Sequence, residues 1–117
     1  MYSGRNRLKI ARALVELNKS LVRLRILRER LIRRIYMSGG EERNLQTILR
    51  LVERYIAYME VLSDRLSRLM ERESLEELLE ISRELKNINN EIKKIDSSIS
   101  IGVSGAIELI NEIIDRY

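Results

Sequence analysis

Apolar residues recur in steps of three and four along most of this chain, the spacing of one face of an α-helix. The first such segment, residues 5–36, has Arg28 where the repeat would place an apolar side chain. Gly39 and Gly40 end it, because glycine readily adopts the positive φ of a helix C-cap. A second apolar seam of similar length follows, and two long helices joined by a short glycine turn are typical of an antiparallel hairpin.

Two further helical segments follow the predicted hairpin. Ser74, with Glu77 three residues later, matches a capping box and predicts the start of a third helix. No strong helix breaker precedes Ser74, so the second and third helices could be separate or continuous. Residues 97–105 contain serine, β-branched residues and two glycines, which loosen a helix.

The sequence therefore predicts an all-α fold: a long antiparallel hairpin, an acidic third helix and a short C-terminal helix, all in a single domain spanning residues 1–117. The predicted helices cover residues 7–37, 41–72, 75–97 and 104–116. Five positions are predicted hinges: Gly39, Gly40, Ser74, Gly102 and Gly105. For the last two, a close-packed helix face is the alternative.

The first helix has two further faces beside its core seam. Residues 5–36 contain eleven basic and two acidic residues, a net charge of +9, whereas the rest of the chain carries −5. A second apolar strip, predicted to contact a neighbouring molecule, comprises Leu8, Val15, Val22 and Ile26. A basic face, predicted to bind a phosphate-rich surface, comprises Arg5, Lys9, Arg12, Lys19, Arg23, Arg30 and Arg34.

The amino-acid composition excludes several kinds of functional site. The chain has no Cys, His, Pro, Trp or Phe, which excludes disulfides, thiolate chemistry, the usual zinc sites and imidazole acid–base catalysis. We therefore expect no metal, no cofactor, no small-molecule substrate and no enzymatic activity. A small helical enzyme of the chorismate mutase kind is disfavoured, because the basic residues follow one helix face instead of converging on a pocket. No apolar stretch approaches the ~20 residues of a membrane span, and we expect a cytoplasmic location.

The order of these segments resembles the core of the ESCRT-III family, most closely the archaeal Cdv B-type cell-division proteins. The segments that carry the resemblance are the basic helix 5–36, MSGGEE at 37–42, the helix 41–72, ERESLEE at 71–77, LKNINNEI at 85–92 and ELINEIID at 108–115.

The resemblance implies a protein that polymerises on anionic membranes and remodels them in cell division or scission, at the inner face of the plasma membrane. It also implies a first helix whose basic face meets lipid, a hairpin that packs against neighbours, and a segment after the hairpin that switches between folded-back and extended states. The implied partners are copies of the chain or related subunits. Because the chain lacks proline, the proline-containing motif that recruits an AAA ATPase is missing, and such an ATPase is expected only as an indirect partner.

The residues alone leave four questions open. The seams equally suit a coiled-coil adaptor or dimerisation module with no membrane role. Nucleic acid is disfavoured as a partner because only Tyr36 interleaves the basic residues. The acidic run from Glu71 to Glu84 is either a charge bias at a helix start or an arm that folds back on the basic helix. Arg28 either extends its charged end to solvent or pairs with an acid near Glu53.

Overall fold

A computed structural model describes residues 4–40 and 42–117 of the chain. They form four helices: α1 (Gly4–Met37), α2 (Arg43–Arg68), α3 (Leu75–Ile95) and α4 (Ser100–Ile114). No strand occurs among these residues, and the predicted all-α fold with a long α1/α2 pair is confirmed. The molecule is elongated, with principal extents of 57 × 19 × 19 Å.

Local sequence accounts for the two turns that separate the first three helices. Gly39 and Gly40 adopt φ values of 75° and 80°, and the Gly40 N–H donates to the carbonyl of Ile35 at 2.9 Å. Ser74 is the N-cap of α3, and its hydroxyl accepts a hydrogen bond from the backbone N–H of Glu77 at 3.2 Å. α2 and α3 are therefore separate helices. Only this half of the predicted capping box forms, because the Glu77 carboxylate bonds Arg65 instead.

The helices close into a four-membered ring. α1 packs against α2 and α4, and α3 packs against α2 and α4, so α1 and α3 lie diagonally opposite each other. The predicted seam of α1 lies in the core. Its buried residues include Ile10, Leu17, Leu21, Leu24 and Leu31.

Helix ends differ from the prediction by four residues at two places and by two or three residues at others. α2 ends at Arg68 instead of 72, and Glu41, the predicted start of α2, lies outside the described residues. α4 begins at Ser100 instead of 104, because the serine and glycine residues there pack against α1. A Cβ on Gly102 would collide with the Glu16 carbonyl oxygen and the Ser20 hydroxyl.

The five predicted hinge positions fall into two groups. Gly39, Gly40 and Ser74 lie at the turns between helices. Gly102 and Gly105 lie inside α4, against α1, and the close-packing alternative accounts for Gly102, where a Cβ would not fit. Their hinge roles stay predictions.

Candidate functional site

An apolar strip runs along the side of α1 that faces away from the core. Its first four members are between 43% and 57% exposed, and they lie opposite the side of α1 that α2 and α4 cover. At 3.6 residues per turn, Met37 continues the strip at the C-terminal end of the helix, giving it a length of about 43 Å. The strip consists of Leu8, Val15, Val22, Ile26 and Met37.

Exposed cations border this strip. Arg12, Lys19 and Arg30 lie within about 60° of it around the helix axis, and Arg33 lies inside it. Among the residues that the structure describes, Arg12, Arg30 and Arg33 have no ion-pair partner. We call the strip and these four cations the outer face of α1. The predicted apolar strip and part of the predicted basic face beside it are therefore exposed together on one surface of α1.

Three other predicted cations have partners within the fold. Lys9 turns toward α4, where its ammonium group lies 3.1 Å from the Glu112 carboxylate and its side chain is only 17% exposed. The Arg23 guanidinium donates to the carbonyl of Ser98 at 3.3 Å, which ties α1 to the α3–α4 turn. Arg5 is exposed at the start of α1 and also has an interaction partner. Lys9 departs from the predicted basic face because α4 packs against that side of α1.

Arg34 and Lys19 are the remaining members of the predicted basic face. Arg34 is exposed in the last turn of α1 and makes no ion pair with any described residue. Lys19 pairs with Glu16 one turn away at 2.9 Å, and its side chain remains 62% exposed. Sequence reasoning missed Arg33 and Met37 as members of the face, although their helical spacing from Ile26 and Arg30 could have placed them there.

The acidic run pairs mainly with α2. The Arg65 guanidinium lies 2.6 Å from the carboxylates of both Glu77 and Glu84, and 3.4 Å from that of Glu80. The hydrogen bond to Glu77 raises the pKa of Arg65, against the opposing effect of burial. We call these four residues the Arg65 cluster. The cluster holds three carboxylates of the acidic run against α2, while Glu73 accepts a hydrogen bond from Asn6 of α1 at 2.7 Å. The outer face of α1 remains uncovered.

The neighbourhood of the Arg65 cluster shifts two further pKa values. Burial alone would raise the pKa of Glu84, but hydrogen bonds from Tyr58 and Arg65 outweigh it and lower the pKa. The Tyr58 hydroxyl donates to Glu84 at 2.8 Å, and this bond raises the pKa of Tyr58. Glu84 is thus held ionised between two donors.

Arg28 has no carboxylate partner across the hairpin among the described residues. Its closest acidic neighbour is Glu29 on the same helix, with 3.9 Å between the guanidinium and the carboxylate. One turn earlier on α1, the Arg25 guanidinium lies 3.8 Å from the Glu60 carboxylate on α2 and forms an ion pair across the hairpin. Since the Arg28 side chain is 34% exposed, the structure favours the alternative in which its charged end extends to solvent.

No group of three or more Asp or Glu side chains is arranged to hold a metal ion in residues 4–40 and 42–117. Within the same residues, no helix is long and apolar enough to cross a membrane.

Comparisons with known proteins give no match: no family model, no curated protein and no solved structure is significantly similar to this chain. The resemblance to ESCRT-III proteins therefore rests on the order, length and charge of the sequence segments.

Proposed function

We propose that this protein binds anionic membranes through the outer face of α1, and that it assembles on them into filaments that remodel the membrane, as an ESCRT-III-like protein of cell division or scission. The observation that carries the proposal is the outer face itself, a continuous exposed apolar strip bordered by four exposed cations, of which Arg12, Arg30 and Arg33 lack ion-pair partners among the described residues.

Such a face suits the membrane interface. A helix that lies in the plane of the interface places its apolar side chains at the headgroup–acyl boundary and its cations among the headgroups. Val15 and Val22 lie in the middle of the strip, with Arg12 and Lys19 beside them. Each cation near an anionic leaflet contributes ~1 kcal/mol, so four hold a single copy weakly. Assembly would strengthen the attachment, because linked copies bind together.

Charge favours lipid over a second copy as the occupant of this face. A two-fold contact between two outer faces would bring Arg12, Arg30 and Arg33 close to the same residues of the partner, and like charges in contact destabilise an interface. An anionic bilayer instead neutralises them. We therefore assign Leu8, Val15, Val22 and Ile26 to the membrane contact, and the contacts between filament subunits to other surfaces of the bundle.

Vesicle co-sedimentation tests the membrane part of the proposal. We expect the protein to pellet with vesicles that contain anionic lipid, to stay in solution with purely zwitterionic vesicles, and to be released as salt screens the charges. Binding that is indifferent to lipid charge would contradict the proposal.

Negative-stain electron microscopy tests assembly. Filaments, tubes or sheets are expected on anionic vesicles at low salt. A monodisperse monomer at all salt and lipid conditions would contradict filament assembly. It would favour the alternative of a helical adaptor module that does not polymerise.

A further inference from the structure

The end of the α1/α2 hairpin carries the most exposed large apolar side chains in the described residues. Tyr36 is 85% exposed and Met37 is 86% exposed, in the last turn of α1 before Gly39 and Gly40. We call residues 32–40 and 42–49 the hairpin tip. Exposed apolar side chains that adjoin one another, unlike scattered ones, point to an interaction surface.

An open apolar groove extends this surface along the tip. It is lined by Ile32, Ile35, Tyr36, Leu49 and the two glycines of the turn. α3 and α4 do not cover it, because the turn that joins them lies further back, where Ser98 accepts a hydrogen bond from Arg23. The apolar surface of the tip therefore faces solvent in the isolated molecule.

Arginines surround the tip. Arg30, Arg33 and Arg34 occupy the last two turns of α1, and Arg43 opens α2. None of these four makes an ion pair with a described residue. The described carboxylate in the turn is Glu42, at the N-cap of α2, where the helix dipole favours it.

We infer that the hairpin tip inserts into the interfacial layer of an anionic bilayer, with Tyr36 and Met37 entering the apolar boundary and the surrounding arginines binding lipid phosphates. This inference rests on the proposed membrane function and adds a point of deepest contact to it. Tyrosine prefers the interface because its ring is apolar and its hydroxyl is polar. Methionine adapts to irregular apolar surroundings, and arginine keeps its charge at the headgroups while its stem lies in the apolar layer.

A tip-to-tip contact between two copies fits the charges less well. It would place Arg33, Arg34 and Arg43 near their counterparts, with Glu42 the only described carboxylate in the turn to offset them. The bilayer supplies the opposite charge at each of these positions.

The absence of tryptophan from the chain provides a direct test. Tyr36→Trp places a single fluorophore at the tip, and Tyr58→Trp places one on α2 beside α3, where the wild-type side chain is 42% exposed. On adding vesicles of mixed phosphatidylglycerol and phosphatidylcholine, we expect the emission of the Tyr36→Trp protein to shift to shorter wavelength and to be quenched by brominated acyl chains. The Tyr58→Trp emission should not change.

A second pair of variants measures the contribution of the tip to binding. Met37→Ser should weaken vesicle binding roughly fivefold, the effect of losing about 1 kcal/mol of apolar burial. Val61→Ser, which removes an apolar side chain from α2 that is 56% exposed, should leave binding unchanged.

The outcomes separate this inference from the proposed function. Vesicle binding with unchanged Tyr36→Trp emission and with full binding by Met37→Ser would overturn tip insertion and leave the part of the outer face from Leu8 to Arg33 as the membrane contact. Failure of the wild-type chain to bind anionic vesicles would overturn both.

Discussion

Gly102 leaves no room for a side chain between α4 and α1. An added Cβ would meet the carbonyl oxygen of Glu16, which belongs to the α1 backbone and cannot rotate away, as well as the Ser20 hydroxyl. Gly102→Ala should therefore force the two helices apart and lower the free energy of unfolding by about 1–2 kcal/mol, despite the better helix propensity of alanine. Urea denaturation monitored by circular dichroism measures the change.

Gly105 provides the matched control for this substitution. A Cβ there would lie 3.5 Å from the Glu16 side chain, an ordinary contact with flexible atoms. Because glycine inside a helix costs up to ~1 kcal/mol relative to alanine, Gly105→Ala should raise the free energy of unfolding. If both substitutions stabilised the protein, the close approach of α4 to α1 would be wrong.

The small and polar residues at this contact also explain why the sequence offers a close-packed face there only as the alternative to a hinge. Apolar periodicity identifies seams made of leucine and isoleucine, and it located the core positions of α1 correctly. The side of α1 that receives α4 contains Lys9, Ala13 and Ser20, and the facing side of α4 contains Gly102. Such residues do not contribute to apolar periodicity. The pattern therefore predicts a loosened helix at residues 97–105, where the structure has the packed start of α4.

At the scale of the elements, the Arg65 cluster is the main polar link between α2 and α3. Removing its single cation leaves three carboxylates close together and partly buried. Arg65→Met should lower the free energy of unfolding by about 1–3 kcal/mol, because the hydrogen bonds to Glu77 and Glu84 are charge-assisted.

Arg68 on the same helix is the control for this variant. It pairs only with Asp64 four residues away, and both side chains are largely exposed. Arg68→Met should change the free energy of unfolding by less than about 0.5 kcal/mol. Equal losses for the two variants in thermal or urea denaturation would show that the cluster has no special role.

The lowered pKa of Glu84 makes the α2–α3 link sensitive to acid. A carboxyl group whose pKa falls on folding stabilises the fold above its ordinary value of 4.5, and this stabilisation is lost as the pH falls through the folded-state pKa. The free energy of unfolding should therefore decrease below pH 4.5, and Glu84→Gln should make that decrease smaller. Urea denaturation of wild type and variant at several pH values measures this effect. Parallel pH profiles for the two proteins would contradict the prediction.

The partners of Arg65 could not be read from the sequence for a different reason. The periodicity predicted the helices and the Ser74 cap that starts α3, and both are present. Which cation would face Glu77, Glu80 and Glu84 depends on how α3 rotates about its axis when it packs on α2. The sequence alternatives placed these acids against the basic helix or in solvent, and α3 instead lies diagonally across the bundle from α1.

For the whole molecule, this arrangement leaves most of the charge of α1 exposed. The acidic residues of α3 form ion pairs mainly with Arg65 of α2. Glu112 of α4 forms an ion pair with Lys9 of α1. The outer face therefore keeps both its cations and its apolar strip accessible along the full length of the longest helix. The sequence predicted four of the five members of the strip and three of the four cations beside it, and the packing of α2 and α4 shows that both face outward.

The most direct test of the membrane-binding claim compares two charge reversals of equal size in vesicle co-sedimentation. The double variant Arg12→Glu and Arg30→Glu changes the outer face of α1. Its control, Lys86→Glu and Lys93→Glu, changes exposed positions on α3, across the bundle. The loss of two cations at ~1 kcal/mol each weakens binding at least roughly thirtyfold, and the added negative charges weaken it further.

We expect the α1 variant to lose binding to anionic vesicles while it keeps its helicity and thermal stability, and we expect the α3 variant to bind almost as the wild type does. Equal loss in both variants, or full binding by the α1 variant, would contradict the assignment of the outer face as the membrane contact.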